Sequence, residues 1–405
     1  MFATVVAAIT TLLTFAGLAY YLLALLSARS FLRRPRFPAG FAPPVSILKP
    51  LHGAEPGMPE AFASHCRQDY PSDYEILFGV SSLEDSAVPL VRQLQADFPE
   101  RSIRLVHTPE VLGLNGKTSN VAQLVPHARY EHLVIGDADI HVGPQYLARI
   151  LEPFAPVEGQ PPMGLVTALY SGRAHGTLGS RLEALGIATD FAAGVLTARF
   201  LDRGLRFGLG STLAVTRSAL QAIGGLAPLA DYLADDYQIG SRIANAGLGV
   251  ELANEIVQTE VPAWRFAGFW QHQIRWARGM RDSRPAGFLF LPLSYALAWG
   301  FLNLIATGLS VTAFALFSLT LLVRVSLALG VGVGILGDRQ VLRDLWLILP
   351  RDLVALALWA WSYAGNSVAW GDERLVLRNG KIVSSAAAAP ASCSAAAPGD
   401  RLDPQ

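Results

Sequence analysis

Two hydrophobic rhythms divide the chain. Over residues 2–27, FATVVAAITTLLTFAGLAYYLLALLS, no side chain carries a charge, and the run exceeds the about 20 residues that a helix needs to cross the hydrocarbon core. It predicts a membrane anchor over residues 1–28. No basic residue precedes it, whereas Arg29, Arg33, Arg34 and Arg36 follow at once, so the positive-inside rule places the N-terminus outside and the next segment in the cytoplasm. A cleaved leader would carry the opposite charge order, although LLSARS offers small residues for a cut. From Pro285 to Gly337 the only charge is Arg324, and the length suits two helices with a break near ATGLS at 306–310. A further span is expected from Asp352 to Trp370, with Arg351 and Asp352 at its edge, where charges reach the interface cheaply. Four spans result, three of them within residues 285–370. The tail at 384–405 is Ala, Ser and Pro without period and is expected to be disordered.

Residues 38–284 have soluble character and are read as one cytoplasmic domain. PVSILKP (44–50), YEILFGVSS (74–82), SIRLVHT (102–108), EHLVIGDAD (131–139) and MGLVTALY (163–170) are short apolar or β-branched runs. Segments of helical period separate them: MPEAFASHCRQ, SAVPLVRQLQADF, KTSNVAQLVPHA and PQYLARILEPF. This alternation predicts an α/β fold with a parallel sheet covered on both faces. Ligands of such sheets bind beyond the carboxyl ends of the strands. Asp85 lies just past the second strand and Asp137 and Asp139 end the fourth, so the three acids are expected to face one crevice.

Composition supports the membrane reading: 52% of residues are hydrophobic and 16% charged, against about 25% charged in an ordinary soluble protein. The 32 basic and 32 acidic residues cancel, which gives no general attraction to nucleic acid. Cys66 and Cys393 lie too far apart to read as a metal-ligand pair or a disulfide framework. They are read as unpaired thiols under reducing conditions.

Several constellations carry chemistry. The oxygens of an Asp-x-Asp pair, here Asp137 and Asp139, suit a hard cation such as Mg²⁺ or Mn²⁺, which would in turn hold a diphosphate; the plain alternative is a solvated turn. YLADDYQIGSRIANAG (232–247) starts with acids and continues as a helix, so one of Asp235 and Asp236 serves as cap and the other as a base, or both are simply helix-terminal acids. FWQHQIRWARGMRDSR (269–284) gathers Arg275, Arg278, Arg281 and Arg284 with Trp270 and Trp276. That fits an interfacial helix, an arginine facing a leaving diphosphate, or both. Of the three lysines, Lys49 and Lys117 fall at crevice positions and are candidate phosphate or nucleotide contacts, or are there by chance. GLGSTLAVTR (208–217) and RLEALGIATDFAAGVLTARF (181–200) are expected on the acceptor side, the latter alternatively as a core helix.

With VSILKPLHG, QDYP, DYEILFGVSSLEDSAV, LVIGDADIHV, GLVTALY, YLADDYQIGSRIANAG, HQIRWAR and VAWGDERLVLRNGK in order up to about residue 383, the chain resembles the ceramide glucosyltransferase family and the similar bacterial glycosyltransferases of hopanoid synthesis. The resemblance implies an α/β, glycosyltransferase A-type, Rossmann-like domain between N-terminal and C-terminal transmembrane helices. It implies a multi-pass protein, in a bacterium of the inner membrane, whose catalytic domain lies on the cytoplasmic face. The implied reaction moves a sugar with inversion from a UDP-sugar, UDP-glucose first, onto the primary hydroxyl of a membrane lipid, ceramide first, with Mg²⁺ or Mn²⁺. Transfer of N-acetylglucosamine to a hopanoid is the sister reading. The nucleotide-contacting aspartate falls on Asp85, the Asp-x-Asp element on Asp137 and Asp139, with Asp139 toward the metal, and the base on Asp236 rather than Asp235. The Gln/Arg-x-x-Arg-Trp signature keeps Arg275 and Trp276 but has His272 at its first position, and Lys49 and Lys117 join the substrate contacts. A processive polysaccharide synthase would share the aspartates but needs more spans for a polymer channel. A non-catalytic membrane scaffold would have no use for the intact acids.

Overall fold

The computed structural model describes residues 1–34, 37, 40–370 and 373–384. After helix α1 (Phe2–Arg33) the chain alternates: β1 (Val45–Leu51), α2 (Met58–Cys66), β2 (Tyr74–Val80), α3 (Val88–Asp97), β3 (Ser102–His107), α4 (Gly116–Leu124), β4 (His132–Ile135), α5 (Tyr146–Leu151) and β5 (Met163–Ala174). Helices α6 (Leu178–Gly186) and α7 (Ala192–Asp202) are joined by a π-helical turn at Ile187–Phe191, followed by β6 (Leu213–Thr216), α8 (Arg217–Ala222), α9 (Asp235–Asn245) and β7 (Gly249–Val261). Then come α10 (Phe266–Ser283), α11 (Pro285–Leu289), α12 (Ala296–Ala306), α13 (Val311–Ala328), α14 (Gln340–Asp344) and α15 (Ile348–Ser362). A small antiparallel sheet closes the described chain: β8 (Ser367–Trp370), β9 (Glu373–Arg378) and β10 (Lys381–Ser384).

The main sheet runs in the order β3-β2-β1-β4-β6-β5-β7. β1 to β4 are parallel neighbours, as the alternation requires. The five expected strands are all present. Two were not expected: β6, which is antiparallel to both β4 and β5, and β7, which is parallel to β5. β6 is four residues inside a Gly/Ser/Thr run, too short to show a period. β7 carries Glu251, Glu255 and Glu260, whose charges hide a strand until Arg199, Arg149 and Arg173 are seen to pair with them.

Among the described residues three helices are long and apolar enough to cross a membrane: Phe2–Arg33, Leu178–Asp202 and Val311–Val333. The expected break at 306–310 separates α12 from α13, but α12 has only 11 residues. The span expected at 352–370 is corrected: α15 stops at Ser362, and residues 367–370 form β8. Leu178–Asp202, placed in the soluble domain by its sequence context, packs into the same apolar cluster as Tyr21 and Ala24 of α1 and Leu327 of α13. That cluster also holds Leu48, Leu77 and Leu133 of the sheet, so anchor, sheet and C-terminal helices share one core. Cys66 is buried, and Cys393 with the tail after Ser384 lies outside the described residues.

The charges expected at a helix edge are buried, a second correction. Asp352 is fully buried and accepts from Nε and Nη2 of Arg324 at 3.0 and 2.9 Å, as well as from the Tyr21 hydroxyl at 3.3 Å. Arg324 also donates to Asp190 and, at 3.2 Å, to Thr189. Arg351 donates to the Leu182 carbonyl at 3.1 Å and to Gln273 at 3.3 Å. Snorkelling is unnecessary because each charge finds its partners inside the helix bundle.

Asp352→Ala leaves the buried Arg324 with half its carboxylate support and is expected to cost about 3 to 5 kcal/mol. Thermal unfolding in detergent checks this, and the joint Arg324→Met, Asp352→Leu variant should recover most of the loss.

Candidate active site

Beyond the end of β4 the chain turns at Gly136, where a Cβ would lie 2.8 Å from the Ser211 carbonyl oxygen and 3.4 Å from Nζ of Lys49. Only glycine lets this turn pass so close to the loop before β6. Asp137 and Asp139 follow in different surroundings. Lys49, buried on β1, donates to the Asp137 carbonyl oxygen at 2.8 Å, and Lys117 in the first turn of α4 reaches Asp137 Oδ1 at 2.5 Å. Asp139 is tied instead to the Thr259 hydroxyl of β7. Burial, and then the charge of Asp137, raise the pKa of Asp139. Burial pulls Lys49 down to about 7 against the opposing pull of Asp137 and Asp139. For Lys117 burial is outweighed by Asp137, Asp235 and Asp236, and its pKa rises.

Asp235 and Asp236 lie in the first turn of α9, yet neither caps it, since the cap position is Ala234. The expectation that one of them caps is therefore corrected. Asp235 accepts from the Thr118 hydroxyl at 3.0 Å. Asp236 accepts from the Gly210 amide at 2.8 Å and its own neighbour Tyr237 at 2.7 Å. Burial and the adjacent Asp235 push Asp236 up to about 6. A Cβ at Gly210 would lie 3.3 Å from Asp236 Oδ2, 3.5 Å from Lys117 Nζ and 3.8 Å from Asp137 Oδ2. The segment 208–217, expected on the acceptor side, thus supplies the glycine on which three candidate residues converge.

Asp85 is one loop away. Both its oxygens accept from the Gly53 amide, at 3.0 and 2.9 Å, and Oδ1 also from Ala87 at 2.8 Å. It thereby shapes the loop after β1, where Gly53 has φ of 73°. Glu55 on that loop has its pKa raised by burial and then by Asp139 and Asp137, which places the loop within the field of the aspartate pair.

The signature residues of α10 gather around a group the sequence reading did not single out. His272 Nδ1 is 3.0 Å from Oε1 of Glu183 on α6, and its ring stacks on Trp264 at 5.4 Å and approaches Trp276 at 5.1 Å. Burial lowers the pKa of Arg275, opposed by Glu183. Tyr170 on β5 joins the two groups, since burial and then Asp236, Asp137, Glu183 and Asp139 all raise its pKa. Glu183 and Gly210 lie in the two segments expected on the acceptor side but were not singled out within them, whereas Tyr170 on β5 and Thr259 on β7 were missed altogether, because only the pairing of strands distant in the chain brings them in.

Among the described residues no group of three or more His, Cys, Asp or Glu is arranged to hold a metal ion. Asp137 and Asp139 nevertheless fit a small hard cation, which takes one or two carboxylates and completes its shell with phosphate oxygens and water. Burial first and then the charge of Asp137 raise the pKa of Asp139, and such a cation would offset the second of these.

Comparison with known proteins bears on this arrangement. Ceramide glucosyltransferase 3 of Caenorhabditis elegans is 25% identical over 251 residues, which are 62% of this chain and 53% of that protein. Ceramide glucosyltransferase 1 of the same organism is 25% identical over 236 residues, 58% and 49% respectively. The chain thus matches about half the length of these curated relatives. The fold is shared with the mannosyltransferase PcManGT of Pyrobaculum calidifontis, solved with GDP-Man and Mn²⁺, at a TM-score of 0.54 and 19% identity over 88% of this chain and 99% of that one. The pattern of glycosyl transferase family 21 matches residues 9–383, from within the anchor helix to the last strand, and the chain belongs to that family.

Proposed function

We propose that the protein is an inverting hexosyltransferase that moves glucose from UDP-glucose to the primary hydroxyl of ceramide at the cytoplasmic face of the membrane, giving a β-glycolipid. The observation that carries this reading is the convergence on Gly210 of a carboxylate raised to about 6 with the Lys117 and Asp137 pair. A base near that value is mostly ionised at neutral pH yet still able to take a proton. The multi-pass arrangement rests on α1 and α13, and the cytoplasmic side on the arginines after α1.

The steps follow from the side chains. Asp236 accepts the proton of the lipid hydroxyl as its oxygen forms a bond to the anomeric carbon. The bond from that carbon to the diphosphate oxygen breaks on the opposite face, so one base suffices for inversion. Lys117 and Arg275 face the departing negative charge and stabilise it where water is scarce. Asp139 with Asp137 would hold Mg²⁺ or Mn²⁺, which supplies further neutralisation of the diphosphate. Asp85 and the loop it holds cover the nucleotide side.

Purified protein with Mg²⁺ or Mn²⁺, given UDP-glucose or UDP-N-acetylglucosamine with ceramide or a hopanoid polyol, is expected to add one hexose to ceramide by mass spectrometry; no transfer to any lipid would end the reading. Asp236→Asn should lower turnover ~10²- to 10⁴-fold with nucleotide binding retained. In wild type, the rate should fall with pH below about 6 as Asp236 takes up a proton. Lys117 lowers the pKa of Asp236, so Lys117→Met should shift that acid limb to higher pH. Asp139→Ala should weaken UDP binding measured with Mn²⁺ and leave binding measured in chelator unchanged.

A further inference from the structure

Resting on the lipid-acceptor reading above, we propose that Glu183 and Trp264 form the subsite for the acceptor's head. The head they fit is neutral and carries a hydrogen-bond donor beside an acceptor, as an amide or a vicinal diol does. The Glu183 side chain is only 4% exposed, and while Oε1 contacts His272, Oε2 is sealed from water without a hydrogen-bond partner among the described residues. Nε1 of Trp264 is in the same condition. The two groups flank one imidazole, with Trp264 stacked on His272 and Glu183 at its Nδ1. Gly179, one helical turn before Glu183, brings α6 against Trp264: a Cβ there would lie 2.9 Å from the Trp264 carbonyl oxygen. Nδ1 of His272, although 3.0 Å from Glu183 Oε1, also makes no hydrogen bond. Buried polar atoms are almost always paired, so three unpaired ones in and around one ring point to a ligand that completes them.

Their chemistry narrows the ligand. The carboxylate oxygen can only accept and the indole nitrogen can only donate. A phosphate head would bring acceptors alone and set a second anion against Glu183, and a plain alcohol, whose one hydroxyl is the reacting group taken to Asp236, would leave no polar group for this pair. An amide, or two adjacent hydroxyls, meets both. The position suits a lipid: Glu183 stands on the apolar helix 178–202 that packs with α1 and α13, and Tyr170 lies within the fields of both Glu183 and Asp236.

The experiment uses the full chain in nanodiscs and lipids whose reacting hydroxyl is blocked as a methyl ether: an N-acyl amino-alcohol, a hopanoid polyol and a plain long-chain alcohol. Wild type is expected to bind the amide or the polyol at least tenfold more tightly than the plain ether, and whichever is preferred identifies the head. Trp264→Phe, which keeps the stacked ring, and Glu183→Gln should each bring that preference close to one while UDP-sugar binding persists. A preference unchanged in both variants, no preference in wild type, or loss of UDP-sugar binding alone would overturn the subsite. Turnover of the unblocked lipids by wild type is scored separately: absent turnover with a preference that the variants abolish would end the transferase reading and leave the subsite standing.

Discussion

The ammonium of Lys117 sits half-buried where Asp137, Asp235 and Asp236 meet, and the site depends on that balance of charge. A cation in the first turn of α4 is poorly placed with respect to the helix dipole, and burial works against it as well. The three carboxylates outweigh both effects, and in turn they are tolerable so close together only because the cation is there. The arrangement fixes three elements relative to one another: the end of β4, the start of α4 and the start of α9. It also leaves Asp236, pushed up to about 6 by burial and by Asp235, protonatable near neutrality.

The loop leading into α9 is held from both sides. Asn115 caps α4 by accepting from Thr118 at 3.0 Å and donates to the Tyr232 carbonyl at 2.8 Å. On the other side the β9–β10 hairpin turns on Asn379 and Gly380, with φ of 52° and 77°, the signature of a tight hairpin turn. Leu233 donates to the Gly380 carbonyl at 3.2 Å and Ile382 to the Asp231 carbonyl at 2.6 Å. Arg281 of α10 ties the same region to Asn366 at 2.7 Å and to Ser362 at the end of α15. Arg278 and Arg281, which as a sequence could equally face lipid headgroups, are thus spent on carbonyl oxygens of the closing segment.

A second charge constraint lies among the apolar helices, where Arg324 joins Asp352 and Asp190. Unlike the first it is closed by Thr189 and Tyr21, and it locks α13, α15, α1 and the π-helical turn together. Because that turn belongs to the helix bearing Glu183, the bundle sets the position of the polar groups next to α10. The long apolar helices and the candidate site residues are therefore parts of one packed body, with no boundary where the sequence changes character.

The sequence by itself determined the apolar N-terminal helix, the alternating β1 to β5 scaffold and the place of Asp137 and Asp139 just past the end of β4, because period, charge runs and short motifs are local properties. It also placed the helix break at 306–310. Only the tertiary structure gives the two adjacent acids different partners. Asp235 and Asp236 are indistinguishable as neighbours in a first turn, and they separate only when Thr118 takes one and the backbone of Gly210 faces the other. Likewise β6 and β7 have no readable period, Arg351 and Asp352 look like edge charges until their partners 169 and 28 residues away are seen, and Glu183 is an ordinary helix acid until His272 comes against it. Pairing between segments distant in the chain sets desolvation and charge, and those two quantities, rather than residue type, assign the roles.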